Sequence, residues 1–144
     1  MPLISVTRLR VRSFLYLPEF LWDTFQSARQ VQRSPGFLGG RLLVNARYVF
    51  WTMTAWQDEA AMNAYRTGGA HRKAMPKLLN WCDEAAVVHW TQDSAEIPDW
   101  RQAQEHMAEK GKLSKVNHPS AVQASQRIPA PQRSRIAQTL KPAR

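Results

Sequence analysis

The sequence predicts an α+β domain with the element order β-α-β-β-α-β and helices on one face of an antiparallel sheet. Arginines at positions 8, 10 and 12 alternate with other residues, which is the period of two expected of a strand. A second strand is indicated by the aromatic run YVFWTMTAW. Helical periodicity follows each strand-like region, after Pro18 and again after Asp58. Together these three patterns predict two β-α-β halves that share one sheet.

The first half begins with a strand predicted over 3–14 and continues into a helix predicted from Pro18 to about Arg33. Proline suits the first helical turn, and Glu19 lies at the helix end that favours negative charge. Three residues at i, i+4 and i+7 are expected to form its buried stripe: Leu21, Phe25 and Ala28. Ser34-Pro35-Gly36 should end the helix.

The two halves are joined by a hairpin, in which a strand predicted over 37–44 ends the first half and a strand predicted over 48–56 begins the second. In the second of these strands, Trp56 shares one face with Tyr48, while Trp51 belongs to the other face. A helix opens at Asp58-Glu59 and is broken by Gly68-Gly69, and the last strand is predicted over 85–91. The resulting β-α-β-β-α-β order is ferredoxin-like.

The sheet face opposite the helices also needs a cover, because the strand over 48–56 carries large apolar groups on both faces. A second subunit packed sheet to sheet by two-fold symmetry is the simplest cover, so a homodimer is predicted. Arg8, Arg10 and Arg12 require counter-charges or water. We expect them on an edge strand with partners across the dimer.

Charge divides the chain into regions. Residues 1–110 hold thirteen Lys/Arg and eleven Asp/Glu, whereas residues 111–144 hold seven Lys/Arg and no acid. We therefore predict a domain over 1–96, an accessory helix over 97–110, and a basic, largely disordered tail over 111–144. Contact between the tail and nucleic acid would be weak and salt-sensitive, and a solubilising role is favoured.

The location is predicted from a single cysteine, Cys82, which allows no intrachain disulfide. A reducing cytoplasm fits best. No segment approaches the roughly 18 to 20 apolar residues of a membrane span, so no membrane partner is expected. The four histidines, at positions 71, 89, 106 and 118, include no i, i+4 pair, and with one cysteine they predict no metal site.

One segment resembles a known family. Thr54-Ala55-Trp56-Gln57-Asp58-Glu59-Ala60-Ala61-Met62, followed by Gly69-Ala70-His71, is similar to the antibiotic-biosynthesis-monooxygenase-like domains of the dimeric α/β-barrel superfamily. The resemblance runs over about residues 3–92. It implies that ferredoxin-like protomers pair into a barrel, with a small-molecule cleft between sheet and helices in each protomer. Activities in that family include cofactor-independent oxygenation of polycyclic phenols, haem binding or degradation, and non-catalytic roles.

His71 is the candidate catalytic residue, because an imidazole with a pKa near 6.5 exchanges protons at neutral pH. A ring nitrogen of His71 could instead bind haem iron as an axial ligand. A third interpretation, capping or packing at the helix start, is favoured for an isolated histidine. Candidate ligand-binding residues are the aromatic and basic side chains expected near it: Trp22, Trp51, Trp56, Tyr65 and Arg72. Core packing is the competing explanation for the tryptophans.

Three functions remain open from the sequence. The first is a cofactor-independent monooxygenase of an aromatic or polycyclic substrate, with a small aromatic molecule as ligand and no cofactor. The second is a haem-binding or haem-handling protein in which His71 ligates the iron. The third is a non-catalytic binding or assembly protein that keeps the fold alone.

Overall fold

The computed structural model describes residues 1–94, 96–131 and 134–142, and for residues 134–136 the backbone alone. The strands are β1 (Leu3–Val11), β2 (Phe37–Asn45), β3 (Val49–Trp56), β4 (Cys82–Thr91), β5 (Lys112–Leu113) and β6 (Ser134–Leu140). The helices are α1 (Leu17–Gln32), α2 (Glu59–Arg66), α3 (Gly69–Trp81), α4 (Trp100–Lys110) and α5 (Ala121–Ala124). Short 3-10 turns cover Phe14–Tyr16 and Ala46–Tyr48.

The sheet is open and antiparallel, with the strand order β5-β4-β1-β3-β2-β6. Its four inner strands, β4-β1-β3-β2, have the ferredoxin-like arrangement, so the predicted fold class is confirmed. The predicted helix start at Asp58 is also observed, because its carboxylate accepts the Ala61 N–H at 2.8 Å. The turn into β2 needs glycine, since Gly36 has φ +85° and an added Cβ would lie 2.6 Å from the Ala61 Cβ.

Helices α1, α2 and α3 cover one face of the sheet. The residues buried beneath them form two clusters: Leu3, Val31, Phe37, Trp56, Met62 and Leu140 in one, and Val11, Phe20, Trp81 and Cys82 in the other. The stripe predicted for α1 was wrong in two of its three positions. Phe20 and Val31 are buried, Ala28 packs beside them, and Leu21 and Phe25 are exposed. Apolar residues occur on both sides of α1, and only its docking against the sheet selects one side.

The opposite face of the sheet is covered by the same chain. Ala103 and Met107 of α4 pack on a core of strand residues that includes Ile4, Val6, Trp51, Met53 and Val88. Ile97, Trp100, Leu113 and Ile128 surround this contact. The sequence predicts a second subunit at this position, whereas the structure places α4 there. The homodimer stays a prediction.

The arginines of β1 are paired within the chain. Arg8 Nη1 lies 2.6 Å from Glu84 Oε1, and Arg10 Nη1 lies 2.6 Å from Asp83 Oδ2. The expected edge position was wrong, because β1 lies between β3 and β4. The expected partners across a dimer were also wrong for Arg8 and Arg10. Asp83 and Glu84 at the start of β4 supply the counter-charges instead.

The segment predicted as a largely disordered tail contributes β5, α5 and β6. Strand β6 pairs with β2, and β5 pairs with β4. Gln123 is buried and its amide bonds the Ala85 backbone, with Nε2 donating to the carbonyl oxygen and Oε1 accepting from the N–H, both at 3.3 Å. A segment without aromatic residues gains these contacts by adding to the edges of an existing sheet, which composition alone does not indicate. The domain boundary predicted at residue 96 stays a prediction.

Candidate functional site

An aromatic row runs from the sheet to the break between α2 and α3. The ring centroids of Phe37 and Trp56 lie 5.4 Å apart, and those of Trp56 and Tyr65 lie 5.3 Å apart. The Tyr65 and His71 rings follow at 4.6 Å. The structure therefore brings together three of the candidate residues, Trp56, Tyr65 and His71.

Gln30 of α1 holds the break in place. Its Nε2 donates to the carbonyl oxygens of Tyr65 at 3.0 Å and Gly68 at 2.9 Å. Its Oε1 accepts the backbone N–H of His71 at 2.8 Å. A Cβ at Gly69, whose φ is +55°, would lie 3.1 Å from the Gln30 amide carbon, so glycine lets the two segments approach. Gln30 could not be predicted from the sequence, because it belongs to no motif and lies 41 residues from His71.

The hydrogen bond of the His71 ring defines its tautomer. Nδ1 lies 3.3 Å from the Arg66 carbonyl oxygen, which can only accept a hydrogen bond. Nδ1 therefore carries the hydrogen and Nε2 carries the lone pair. Burial lowers the pKa of His71, and this effect outweighs the carbonyl, which acts in the opposite direction. The imidazole is neutral at pH 7 and can accept a proton at Nε2.

The other two aromatic residues of the site are fixed by their polar atoms. The Tyr65 hydroxyl donates to the Ser27 carbonyl oxygen at 3.4 Å. Burial raises the pKa of Tyr65 far above its usual value, so its phenol stays protonated. Trp56 is fully buried, and its Nε1 donates to Thr54 Oγ1 at 2.9 Å. Trp56 is therefore held firmly in the core, whereas the Tyr65 ring is anchored by one long hydrogen bond.

An open groove of about 410 Å³ lies beside this row. Gln30, Gly36, Ala61, Ala64 and Tyr65 contribute to its lining, which is mostly apolar. A volume of this size is within the range of small-molecule sites. Tyr65 and Gln30 line the groove and also contact His71, whereas His71 itself does not line it. The groove runs along α2 at the outer edge of the helical layer. The aromatic row occupies the space between sheet and helices in which a cleft was expected.

The remaining candidate residues lie elsewhere. Trp51 is on the opposite face of the sheet, where its ring meets Trp100 edge-on at 6.3 Å. Trp22 and Arg72 are exposed, on α1 and α3 respectively. Trp51 and Trp22 therefore do not join the aromatic row. Arg72 stays a predicted ligand contact, because it follows His71 on the same helix.

The described part of the chain contains neither a group of metal ligands nor a reactive thiol. Its His, Cys, Asp and Glu residues form no group of three or more that could hold a metal ion. Burial raises the pKa of the Cys82 thiol to about 12, so it is not a nucleophile at neutral pH. Of the described helices, none has the length and apolar character needed to cross a membrane.

Comparison with protein families gives one match, between residues 18–77 and the model of the antibiotic biosynthesis monooxygenase family. This part of the chain is therefore similar to antibiotic biosynthesis monooxygenase domains. It begins in α1 and ends in α3, so it includes Gln30, Trp56, Tyr65 and His71. No curated protein matches the sequence.

Solved structures support the fold of this monooxygenase-like domain. SnoaB from Streptomyces nogalater, described as a cofactor-independent oxygenase, is 18% identical and has a TM-score of 0.54, over 68% of this chain and 98% of SnoaB. Rv0793 from Mycobacterium tuberculosis is 12% identical and has a TM-score of 0.59, over 67% of this chain and 100% of Rv0793. A conserved protein from Methanosarcina mazei Go1 is 12% identical, with a TM-score of 0.56, over 65% and 94% of the two chains. At these identities the likeness concerns the fold.

Proposed function

We propose that this chain binds a small aromatic molecule and oxygenates it without a cofactor, with His71 as the general base. The observation that carries the proposal is the proton state of His71. Its Nδ1 hydrogen is held by the Arg66 carbonyl, and its Nε2 is left as a proton acceptor. A neutral, partly buried base beside aromatic walls suits the removal of a phenolic proton. The domain match and the likeness to SnoaB support the same reaction class.

The proposed reaction begins with transfer of the phenolic proton of an aromatic or polycyclic substrate to His71 Nε2. The resulting phenolate is electron-rich, and its ring carbon reacts with molecular oxygen, which is the only oxidant. One oxygen atom stays on that carbon. The O–O bond and the C–H bond of that carbon then break, and the second oxygen atom leaves as water with the phenolic proton and the ring hydrogen, which gives a quinone. The proton balance closes when His71 returns its proton to the departing oxygen.

The groove beside Tyr65 is the proposed binding place, with Trp56 behind Tyr65 as support. Because Tyr65 lines the groove and contacts His71, its ring must turn aside for a substrate to reach Nε2. Arg72, exposed and adjacent in sequence, is the proposed partner of the phenolate charge. The proposal includes a homodimer in the cytoplasm. A sheet-to-sheet dimer would require α4 to leave the face that it covers.

Oxygen uptake with a panel of hydroxylated naphthalenes and anthracenes tests the proposal. His71→Gln should lower kcat at least about a hundredfold, which is the usual contribution of a general base, while KM changes little. His89→Gln is the matched control, because His89 is a histidine of β4 outside the row, and this variant should retain wild-type rates. Equal rates for His71→Gln and wild type would refute the role of His71. If no panel member is turned over but one binds, the non-catalytic interpretation is favoured.

Haem fits this arrangement poorly. A porphyrin ligated by His71 would need a flat slot beside Nε2, whereas the described residues place Tyr65 against the imidazole, and the nearby groove does not include His71. No step is therefore assigned to haem. Titration with hemin checks this conclusion: a Soret shift that is lost in His71→Ala but kept in His89→Gln would restore the haem interpretation.

A further inference from the structure

The outer side of α1 carries a row of large apolar side chains that are exposed to solvent. Pro18, Leu21, Trp22 and Phe25 follow the i, i+3, i+4, i+7 spacing of one helix face. Phe14 and Leu15 precede them in the 3-10 turn. The five non-proline residues of this outer stripe, Phe14, Leu15, Leu21, Trp22 and Phe25, have exposed fractions of 49 to 72%. A soluble domain rarely leaves such a continuous patch without a partner.

Basic side chains are more numerous than acidic ones on α1 and on the neighbouring helix α3. The Arg29 guanidinium lies 5.9 Å from the centre of the Phe25 ring. Helix α3 packs beside α1, and Lys77 pairs with Asp23 across this contact at 3.2 Å. Arg33, Arg72 and Lys73 are also exposed on these helices. Residues 14–33 and 69–81 together hold five Lys/Arg and two Asp/Glu, a balance of +3.

We propose that the outer stripe is a docking surface for an anionic lipid bilayer, with α1 lying in the headgroup region. Tryptophan, phenylalanine and leucine flanked by Lys/Arg are the residues by which amphipathic helices bind membrane surfaces. Positive charge near the surface adds attraction to anionic headgroups. The proposal goes beyond the proposed catalytic function. It also revises the sequence-based expectation of no membrane partner, because surface binding requires no spanning helix.

Two other occupants are less consistent with the stripe. A second copy of the chain would bring one surface with a balance of +3 against another. Single-stranded nucleic acid would satisfy the charge, but it is bound by aromatic rings that stack on bases. Leu15, Pro18 and Leu21 provide no such ring, whereas acyl chains accept aliphatic and aromatic groups alike. The mixed composition together with the charge therefore favours lipid.

Co-sedimentation of the full chain with vesicles tests the proposal. Vesicles of phosphatidylcholine mixed with phosphatidylglycerol in equal parts should bind the chain at least about tenfold more tightly than phosphatidylcholine alone. Trp22→Ser combined with Phe25→Ser should weaken that binding at least about tenfold, because two interfacial anchors are lost. The matched control combines Leu38→Ser with Tyr48→Ser, which are also exposed but lie on β2 and beside β3. This control should stay within about twofold of wild type.

Charge variants distinguish the basic residues near the stripe from a basic residue elsewhere on the chain. Arg29→Glu with Lys73→Glu should remove most of the preference for anionic vesicles, whereas Lys110→Glu on α4 should retain it. The fluorescence of Trp22 also reports vesicle binding directly. Its emission should shift to shorter wavelength on binding, and Trp22→Phe should bind while losing that shift. Unchanged binding by the double serine variant would overturn the proposal.

Two further results would assign the stripe to another occupant and overturn the lipid proposal. A chain that is dimeric by light scattering, and becomes monomeric in Trp22→Ser combined with Phe25→Ser, would identify a second copy as the occupant. Binding of polyuridylate that is lost in the same double variant, without binding to vesicles, would identify nucleic acid. Normal far-UV circular dichroism of the variants verifies that each has folded.

Discussion

The two faces of the central sheet are covered by different kinds of structure. Helices α1, α2 and α3 cover one face, and the aromatic row with His71 lies between them and the sheet. On the other face, α4 and short segments around residues 97, 113 and 128 meet Trp51 and Met53. The features that suggest chemistry lie on the side of the sheet that faces α1, α2 and α3, whereas strands β1 and β4 carry a buried ion pair between Arg8 and Glu84. A sheet that is apolar on both faces can thus be completed within one chain.

The largest expected effect comes from removing the second cover. A chain that ends at residue 96 loses α4 and leaves Ile4, Val6, Trp51 and Met53 facing solvent. We expect it to associate or to lose more than about 10 °C in Tm. Replacing one buried methionine by alanine already lowers the free energy of unfolding by about 2 to 5 kcal/mol, and this truncation removes the whole helix. Light scattering and thermal unfolding measure both outcomes. A stable dimer would show that a second copy can replace α4, and an unchanged monomer would contradict the assignment of this cover.

Matched point variants on α4 sharpen this result. Met107 is buried and Glu109 is exposed. Met107→Ala should cost about 2 to 5 kcal/mol of unfolding free energy, whereas Glu109→Ala should stay within about 0.5 kcal/mol. Urea titrations of the two variants measure both free energies of unfolding, and equal losses would contradict the prediction.

The second prediction compares the ion pairs of the two faces. Glu84 is buried beside Arg8 and also accepts a hydrogen bond from the Ser120 hydroxyl at 2.9 Å. Glu84→Gln leaves the Arg8 charge without its partner, so it should cost about 3 kcal/mol or more. Asp23→Asn in the exposed pair with Lys77 should cost no more than about 0.5 kcal/mol. Similar costs for both variants in urea would show that burial does not distinguish the pairs.

The third prediction concerns the two fully buried tryptophans, one on each face. Trp56 Nε1 donates to Thr54 Oγ1, whereas Trp51 Nε1 is buried and has no hydrogen-bond partner among the described residues. Both Trp→Phe changes remove similar volume, but only Trp56→Phe breaks a hydrogen bond. We expect Trp56→Phe to cost about 1 kcal/mol more than Trp51→Phe in a denaturant titration. Equal costs would indicate that the Trp56 bond contributes nothing.

The smallest predicted effect is a pH dependence from His71. Its pKa is lower in the folded chain than the usual value of 6.5, so the unfolded chain binds more protons as the pH falls below 6.5. The stability that depends on neutral His71 is therefore present above pH 6.5 and is lost as the pH falls through the folded value. His71→Gln should reduce the stability difference between about pH 7.5 and 5.5 by up to about 1 kcal/mol. His89→Gln is measured in parallel, because burial also lowers the pKa of His89. Identical pH profiles for wild type and His71→Gln would contradict this prediction.

The order of the elements and several of their ends could be predicted from the amino-acid sequence. Asp58 as a cap, the break at Gly68-Gly69 and the period of two in β3 are local signals that act within a few residues. The same period already separated Trp51 from Trp56. The likeness to the family pattern and the chemistry of imidazole marked His71, and the structure shows it in contact with Tyr65.

Three features required the folded structure: the side of α1 that is buried, the cover of the second sheet face, and the residue that holds His71. Each of these depends on groups far apart in the chain. Gln30 and His71 are 41 residues apart, and Arg8 and Glu84 are 76 apart. The apolar residues of α1 would satisfy either orientation of the helix locally. The choice depends on contacts that exist only when the whole sheet has formed, since burial of apolar area is a property of the packed layers and not of one segment.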